Sequence, residues 1–311
     1  MTWRLQGDSL RRFVCLLACL HFFSTFAAFA HPASGIVADS QGHVYFIYSG
    51  HGVMRIEPSG ELTNVHPDGA GHWLALDSLG SFSRVTPKLF ERITLDRAVP
   101  ALIFASGGAP LVIGQNGDLF YGTNGSPDEA FPPGALTVAR LSPTGKQELF
   151  APQLKSKLAE LKDGITGLAD GSDGSIYVAT WKGIVKLSKD GSVAAVIHPL
   201  VVKDCDSDPA DHNPANASSP LFRGLGVDDG GNVYVAATSC HRVLRITPEG
   251  AVQTILKSER PWSPTGIAVR GKVVYVLEYT NANGPKTEGW YPRVRERGAD
   301  GTWKTLTTMS P

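Results

Sequence analysis

The chain has 311 residues with 29 Lys or Arg and 29 Asp or Glu, so its formal net charge at pH 7 is zero. A neutral chain has no field that would steer it to DNA or to an anionic membrane, which disfavours a nucleic-acid role. After a predicted leader of 30 residues, the remaining length suits one large all-β domain with no room for a second.

Residues 1–30 are predicted to be a signal peptide. An arginine-containing start precedes an apolar stretch from Phe13 to Phe26, and Ala28-Phe29-Ala30 forms a small-x-small cleavage site before His31. The apolar stretch is too short for a comfortable membrane span. The mature chain, 31–311, is therefore expected to be periplasmic or secreted, without a membrane span. Two alternatives are a lipoprotein cleavage box at Leu16-Leu17-Ala18-Cys19 and a partial twin-arginine signal at Arg11-Arg12.

Six times along the chain, an apolar strand that carries a basic residue is followed by a Gly or Asp turn. Successive basic residues are 37 to 59 positions apart, which is the blade-length period of a β-propeller. The six residues are Arg55, Arg92, Arg140, Lys186, Arg245 and Arg295.

Upstream of most of these strands lies a hairpin pattern, an apolar run, a Gly/Asp/Asn turn and an apolar-aromatic run, as in GIVADSQGHVYFI from Gly35. A degenerate copy, WLALDSLGSFSRV, begins at Trp73. Each unit thus supplies four strands, and the predicted fold is an all-β six-bladed β-propeller of four-stranded antiparallel blades. The predicted blades span approximately 35–69, 70–106, 109–151, 164–198, 222–257 and 264–308.

The predicted loops differ in length between the two faces of the propeller. Turns such as Ser40-Gln41-Gly42 are minimal on the short-turn face, whereas the opposite, loop-rich face holds every long connection and is expected to bind ligands. In one inter-blade loop, Leu154, Leu158 and Leu161 have helical spacing and predict a short helix over the propeller mouth.

Two cysteines remain after removal of the leader, Cys205 and Cys240. In an exported protein this number suggests one disulfide. Both residues are predicted on the loop-rich face, one in the connection from blade 4 to blade 5 and the other in a loop of blade 5. We therefore predict a Cys205–Cys240 disulfide, the alternative being two free thiols.

Aromatic side chains also gather on the predicted loop-rich face. Flat amphipathic rings provide contact area at little entropic cost, so such a patch suits a small molecule, a glycan or a peptide. The alternative is that the rings pack the long loops against one another. The candidate ligand-binding residues are Trp181, Trp262, Tyr279, Trp290 and Tyr291.

The units GLGVDDGGNVYVAATSCHRVLRITPEG and GITGLADGSDGSIYVATWKGIVKLSKDG resemble NHL repeats, and the mature chain resembles the NHL and SMP-30/gluconolactonase group of TolB-like six-bladed propellers. That group includes lactonases, lyases and interaction scaffolds. Its lactonases hold calcium near the starts of innermost strands with a Glu, two Asn and an Asp. Here Asp163-Gly164 resembles the Asp-Gly that supplies one ligand and a base, which makes Asp163 the candidate metal ligand.

Four ionisable residues are predicted at or beside the loop-side mouth of the channel. His72, Asp163, Arg223 and Glu278 could form an acid/base set in which Arg223 orients an anionic substrate. They could equally form a polar plug in a water-filled channel. We expect alanine at Asp163 or Arg223 to leave the fold intact, since neither belongs to the predicted core between blades.

The sequence therefore predicts an exported, monomeric propeller that binds a small molecule, glycan or peptide on its loop-rich face. The alternative is a calcium-dependent, lactonase-type hydrolase or lyase that acts at the channel mouth.

Overall fold

A computed structural model describes residues 32–67, 71–83, 89–96, 100–105, 108–129, 134–205, 220–280 and 289–310. These residues belong to one compact unit. The predicted signal peptide and its cleavage site lie outside the described residues. In the part of the chain that is described, no helix is long and apolar enough to cross a membrane.

The described strands fall into six groups along the chain, one for each blade. Blade 1 contains β1 (Ile36–Ala38), β2 (Val44–Tyr48), β3 (Gly52–Ile56) and β4 (Leu62–His66); blade 2 contains β5 (Trp73–Asp77), β6 (Glu91–Thr94) and β7 (Ala101–Ala105); blade 3 contains β8 (Leu111–Ile113), β9 (Leu119–Thr123), β10 (Thr137–Leu141) and β11 (Gln147–Leu149). Blade 4 contains β12 (Ile165–Asp170), β13 (Ile176–Thr180), β14 (Ile184–Leu187) and β15 (Val193–Ile197); blade 5 contains β16 (Phe222–Val227), β17 (Val233–Ala237), β18 (Arg242–Ile246) and β19 (Val252–Lys257); blade 6 contains β20 (Ser263–Arg270), β21 (Val273–Thr280), β22 (Tyr291–Arg297) and β23 (Trp303–Thr308).

The six blades close into a ring, which confirms the predicted six-bladed propeller. In five blades the strands pair antiparallel in chain order. Each innermost strand packs beside that of the next blade, and β20 of blade 6 packs beside β1 of blade 1. Blades 1 and 6 meet through side chains: the Tyr279 hydroxyl donates to the carbonyl of Ile47, and Thr265 Oγ1 donates to the carbonyl of Ala33 at 2.7 Å.

Blade 2 departs from the predicted hairpin. Its three described strands have the order β5-β7-β6, and residues 81–83, expected to lie in the second strand, form turns and a bend instead. The Asp77 carboxylate causes this turn, since it accepts hydrogen bonds from the backbone N–H groups of Ser81 and Phe82 at 2.8 and 3.0 Å. The entirely buried strand Ala101–Ala105 takes the second place, as expected for a segment that is apolar on both faces.

The basic residues that mark the repeat hold the short turns and neighbouring strands in place. Four of these cations contact a polar side chain close to the short-turn face, whereas Arg295 pairs with Glu259 in the connection between blades 5 and 6. The pairs include Arg55 with Asp96 at 2.7 Å, Arg140 with Asp118 at 3.5 Å, Lys186 with Asp173 at 2.8 Å and Arg245 with Asn232 at 2.9 Å. The repeated cations therefore have a structural role.

The predicted helix is present as α1 (Pro152–Leu161). Leu154 and Leu158 are fully buried and pack with Val138 and Phe150 of the core between blades 3 and 4. The helix therefore lies against strand β10 of blade 3. The same core includes residues of β12, the innermost strand of blade 4. The expectation that the helix covers the propeller mouth stays a prediction.

Candidate functional site

The innermost strands approach one another very closely at their starts on the loop-rich face. A Cβ atom at Gly224 would lie 2.6 Å from the Cα of Gly266, and one at Gly266 would lie 2.4 Å from the carbonyl oxygen of Ser34. Glycine permits this contact between neighbouring backbones because it has no side chain. The loop-side mouth is therefore narrow at blades 5, 6 and 1.

Asp163 lies at the start of β12, and its side chain is fully buried. Its Oδ1 accepts the backbone N–H groups of Gly164 and Trp181 at 2.8 and 2.9 Å. Its Oδ2 accepts Thr180 Oγ1 at 2.8 Å and His198 Nε2 at 2.9 Å, and the backbone N–H of Lys182 lies 3.3 Å away. Five donors thus surround one carboxylate, which ties the start of β12 to the loop between β13 and β14 and to the end of β15.

Glu278 is also fully buried and engaged. Its Oε2 accepts Arg293 Nε at 2.7 Å, and its Oε1 accepts the Ser258 hydroxyl at 2.5 Å. Arg293 also donates to Glu259, which is exposed to solvent. Burial alone would lower the pKa of Arg293, but its hydrogen bonds to the two carboxylates outweigh burial and raise it. Glu278 is therefore one member of a buried ion pair.

Arg223 and His72 contact the segment Pro32–Gly35, which leads into blade 1. Arg223 Nη2 donates to the carbonyl of Pro32 at 2.8 Å, and burial lowers the pKa of Arg223 to about 10, so the guanidinium remains charged at neutral pH. The carbonyl of His72 accepts the backbone N–H groups of Ser34 and Gly35 at 2.9 and 2.8 Å. Both residues thus contact the segment that leads into blade 1.

None of the four predicted acid/base residues lines the central channel described below, and their two carboxylates already accept several donors each. The residues at the strand starts also do not fit calcium, which takes six to eight oxygen ligands, because Asp163 is the one carboxylate there and both its oxygens accept N–H or O–H groups. No group of three or more His, Cys, Asp or Glu among the described residues could hold a metal ion.

A partly exposed aromatic residue covers the Glu278–Arg293 pair at the corner between blades 5 and 6. The Trp262 ring centroid lies 4.4 Å from the Arg293 guanidinium carbon, a cation–π contact. Arg293 Nη2 is buried and has no hydrogen-bond partner among the described residues. The same holds for Thr280 Oγ1 on the neighbouring strand β21.

His241 lies at the same corner with a defined tautomer. Its Nδ1 is 2.7 Å from the carbonyl oxygen of Trp262 and 3.0 Å from the Ser263 hydroxyl. A carbonyl oxygen can only accept, so Nδ1 carries the proton, and Ser263 cannot transfer its own proton to this nitrogen. The buried Nε2 has no partner in the described part of the chain. Around Trp262, the described residues thus leave an imidazole nitrogen, a guanidinium nitrogen and a hydroxyl without a hydrogen-bond partner.

The five aromatic residues predicted to bind ligand have different surroundings in the structure. Tyr279 is 1% exposed and belongs to the core between blades 6 and 1, where burial raises its pKa. Trp181 lies beside Gly134, whose Cβ would be 3.1 Å from the indole ring. Trp262, Trp290 and Tyr291 are partly exposed on the loop-rich face, with Trp290 packed against the core that blades 6, 1 and 2 share.

A central channel of about 240 Å³ is lined by all six innermost strands. In blades 4, 5 and 6 its lining starts at Leu168, Leu225 and Ile267, three or more residues after each strand begins. Asp170 is the one ionisable side chain among the described lining residues, and the prediction from sequence missed it. Comparison of the repeats could have identified Asp170, since blades 1 and 5 have the apolar residues Ala38 and Val227 at the equivalent position.

The Cys205–Cys240 disulfide is present, which confirms the predicted pairing. Cys240 ends a short 3-10 helix, Thr238–Cys240, directly before His241. Arg242 Nη1 donates to the carbonyl of Lys203 at 3.0 Å, beside the other cysteine. The bond therefore attaches the connection between blades 4 and 5 to the corner that holds His241.

Comparison with known proteins identifies the fold. No protein-family model and no curated protein matches the chain. A luciferin-regenerating enzyme superimposes with a TM-score of 0.52 at 16% identity, covering 86% of this chain and 93% of that one. A streptogramin B lyase gives 0.51 at 15% identity, covering 92% and 86%, and a gluconolactonase from Xanthomonas campestris gives 0.50 at 14%, covering 83% and 86%.

The ring of blades and these superpositions define the protein as a six-bladed β-propeller. Its fold is that of the SMP-30/gluconolactonase-like propellers, as the resemblance of its repeats predicted.

Proposed function

We propose that this protein is an exported binding propeller that holds a small molecule, glycan or peptide on its loop-rich face, at the corner around Trp262. The observation that carries the proposal is the partly exposed Trp262 over Arg293, next to buried polar atoms that have no partner among the described residues. Leaving a buried polar atom unsatisfied costs about 1–3 kcal/mol, so an incomplete network marks a place where a ligand or its bound water supplies the missing partners.

The charges at this corner favour an uncharged, hydroxyl-rich ligand such as a glycan. Glu278 and Glu259 pair with Arg293 and with Arg295, whose Nη1 lies 3.7 Å from Glu259. These paired charges do not select strongly for an anion or a cation, and Arg260 adds one exposed positive charge beside them. A sugar ring can stack on the indole while its hydroxyls donate to and accept from the polar groups beneath.

Truncation of Trp262 to alanine should weaken ligand binding strongly. We expect a loss of about 2 kcal/mol, or roughly 30-fold in Kd, because truncating an anchoring aromatic residue typically costs this much. A panel of neutral mono- and oligosaccharides and short peptides, titrated while the indole fluorescence is followed, identifies the ligand and measures the change.

Trp303 provides a matched control in the same blade. Its ring lies 5.4 Å from the Arg295 guanidinium carbon, and its Nε1 donates to the carbonyl of Ile255 at 3.2 Å on strand β19. Trp303→Ala should leave the affinity unchanged. Equal losses in the two variants, or no binding by the natural protein at millimolar concentrations of any panel member, would contradict the proposed site.

Export is the second part of the proposed function. The disulfide supports it, since such bonds persist in oxidising compartments. The mature chain should begin at His31, which N-terminal sequencing of protein expressed with its leader measures. A lipid-modified Cys19 at the N-terminus would instead make the protein a membrane-anchored lipoprotein.

A further inference from the structure

The central channel is a second place where a ligand could bind, separate from the Trp262 corner. Its volume is about 240 Å³, slightly below the range usual for drug-sized ligands. The described lining side chains are apolar with two exceptions, Ser34 and Asp170. Polar atoms nonetheless make up more than half of the exposed channel surface, so backbone groups contribute to it beside the apolar side chains.

Asp170 occupies a position that differs from its counterparts in other blades. In blade 1 the Asp39 carboxylate, six residues before Tyr45, accepts the backbone N–H groups of Gln41 and His43 and so caps the turn. In blade 4 the residue six before Tyr177 is Gly171, and Asp170 lies one position earlier.

The turn of blade 4 is capped without Asp170. Asp173 accepts the backbone N–H of Ser175 at 3.0 Å and pairs with Lys186. The positions equivalent to Asp170 in blades 1 and 5 are Ala38 and Val227, which also line the channel. The turn therefore does not need Asp170, and the other blades place an apolar side chain where it stands.

The Asp170 carboxylate has no partner from another residue in the described part of the chain. The only hydrogen bond that stabilises its charged form comes from its own backbone N–H, and burial raises its pKa. No other ionisable side chain among the described residues lines the channel. Asp170 is partly exposed, and partial desolvation of a carboxylate without a protein partner costs free energy, which a bound cation or donor would recover.

Ser34 offers a second unsatisfied polar group towards the other end. Its side chain is 2% exposed, and its Oγ has no partner in the described residues. The position in blade 1 equivalent to Asp170 is Ala38, four residues after Ser34, which separates the two levels by about 13 Å at the rise of an extended strand.

We propose that the central channel binds a slim apolar amine, whose ammonium group pairs with Asp170 at the short-turn end while its apolar part fills the channel. An ionised carboxylate can only accept hydrogen bonds, so the ligand must donate, and a positive charge also compensates the negative charge of this partly exposed side chain. An anionic ligand would be repelled. Ser34 would contact a hydroxyl or ether oxygen at the far end of a longer ligand.

Calorimetric titration with n-hexylamine, and with 1-hexanol as its uncharged analogue, tests the proposal. The amine should bind the natural protein saturably at pH 7 and bind Asp170→Asn at least tenfold more weakly. Hexanol should bind both proteins equally. Amine affinity should also fall as the pH is lowered through the pKa of Asp170, since the protonated carboxyl no longer carries charge, and the asparagine variant should lack this dependence.

Stability measurements show whether the variants remain folded. A carboxyl group whose pKa is raised by folding contributes stability below its unfolded pKa and loses it as the pH rises through the folded pKa. Asp170→Asn and Asp170→Leu should therefore melt higher than the natural protein at pH 7, with the difference shrinking in acid for Asp170→Asn.

Asp173→Asn, three residues further along, is the matched control and should bind hexylamine as the natural protein does. Equal amine affinity in the natural protein and Asp170→Asn would overturn the proposal. The absence of saturable hexylamine binding to the natural protein would overturn it as well. Neither result bears on the Trp262 corner, which sugars and peptides probe separately.

Discussion

Replacement of Asp163 by asparagine should lower the free energy of unfolding by about 3–5 kcal/mol. The carboxylate is fully buried and accepts donors from Gly164, Thr180, Trp181, Lys182 and His198. An amide retains one acceptor oxygen and turns an NH₂ group towards the remaining donors, which leaves them unsatisfied in a buried place. Equilibrium unfolding in guanidinium chloride measures the change. From the sequence we expected substitution of Asp163 to leave the fold intact. The five donors around the carboxylate lead us to expect a loss of stability instead.

Asp173→Asn is the control for this prediction. Asp173 lies in the same blade, and its side chain is 53% exposed. Its hydrogen bond from Lys186 is the main cause that lowers its pKa to about 2. A surface pair of this kind contributes about 0–1 kcal/mol. Because the pKa is lowered by folding, that contribution is present above the unfolded value near 4 and is lost as the pH falls towards 2.

A different result would restore the role that the sequence suggested for Asp163. If Asp163→Asn unfolds within 1 kcal/mol of the natural protein but loses binding or turnover, the carboxylate acts on a ligand. The five hydrogen bonds would then belong to a resting arrangement that the ligand displaces.

Removal of the disulfide should have a comparable effect on stability. The Cys205–Cys240 bond joins residues 35 positions apart, and in the chain-entropy model closing such a loop stabilises the folded state by about 3–4 kcal/mol. The double variant Cys205→Ser, Cys240→Ser should lose this amount in guanidinium unfolding. Removal of the disulfide should also make the backbone around His241 more mobile, because Cys240 directly precedes His241.

Treatment of the natural protein with reductant serves as the control. The reduced protein should unfold at the same denaturant concentration as the double serine variant, and the serine variant should not respond to reductant. Unchanged stability of the double variant would mean that the local hydrogen bonds from Arg242 to the carbonyls of Lys203 and Asp204 already hold the connection.

The ionisable residues at the channel mouth illustrate where prediction from the chain alone stops. Asp163-Gly164 matches the Asp-Gly of the lactonases, and the pattern cannot reveal that Thr180 and His198, 17 and 35 residues away, donate to its carboxylate. Glu278 likewise accepts a hydrogen bond from Arg293 on the neighbouring strand. The length of the loop between the two strands does not indicate which residues lie opposite each other. Partners of buried charges come from segments distant in sequence, so a motif alone does not distinguish a ligand from a structural anchor.

The number of blades, a short helix in the connection after blade 3 and the disulfide partners could be predicted from the sequence, because alternation, turn residues and the count of cysteines can be read along the chain. The structure was needed to show that Ala101–Ala105 takes the second place in blade 2, that Tyr279 is buried against blade 1, and that Asp170 lines the channel. These outcomes depend on which surfaces meet when the ring closes. Packing between blades brings together residues that no local period relates.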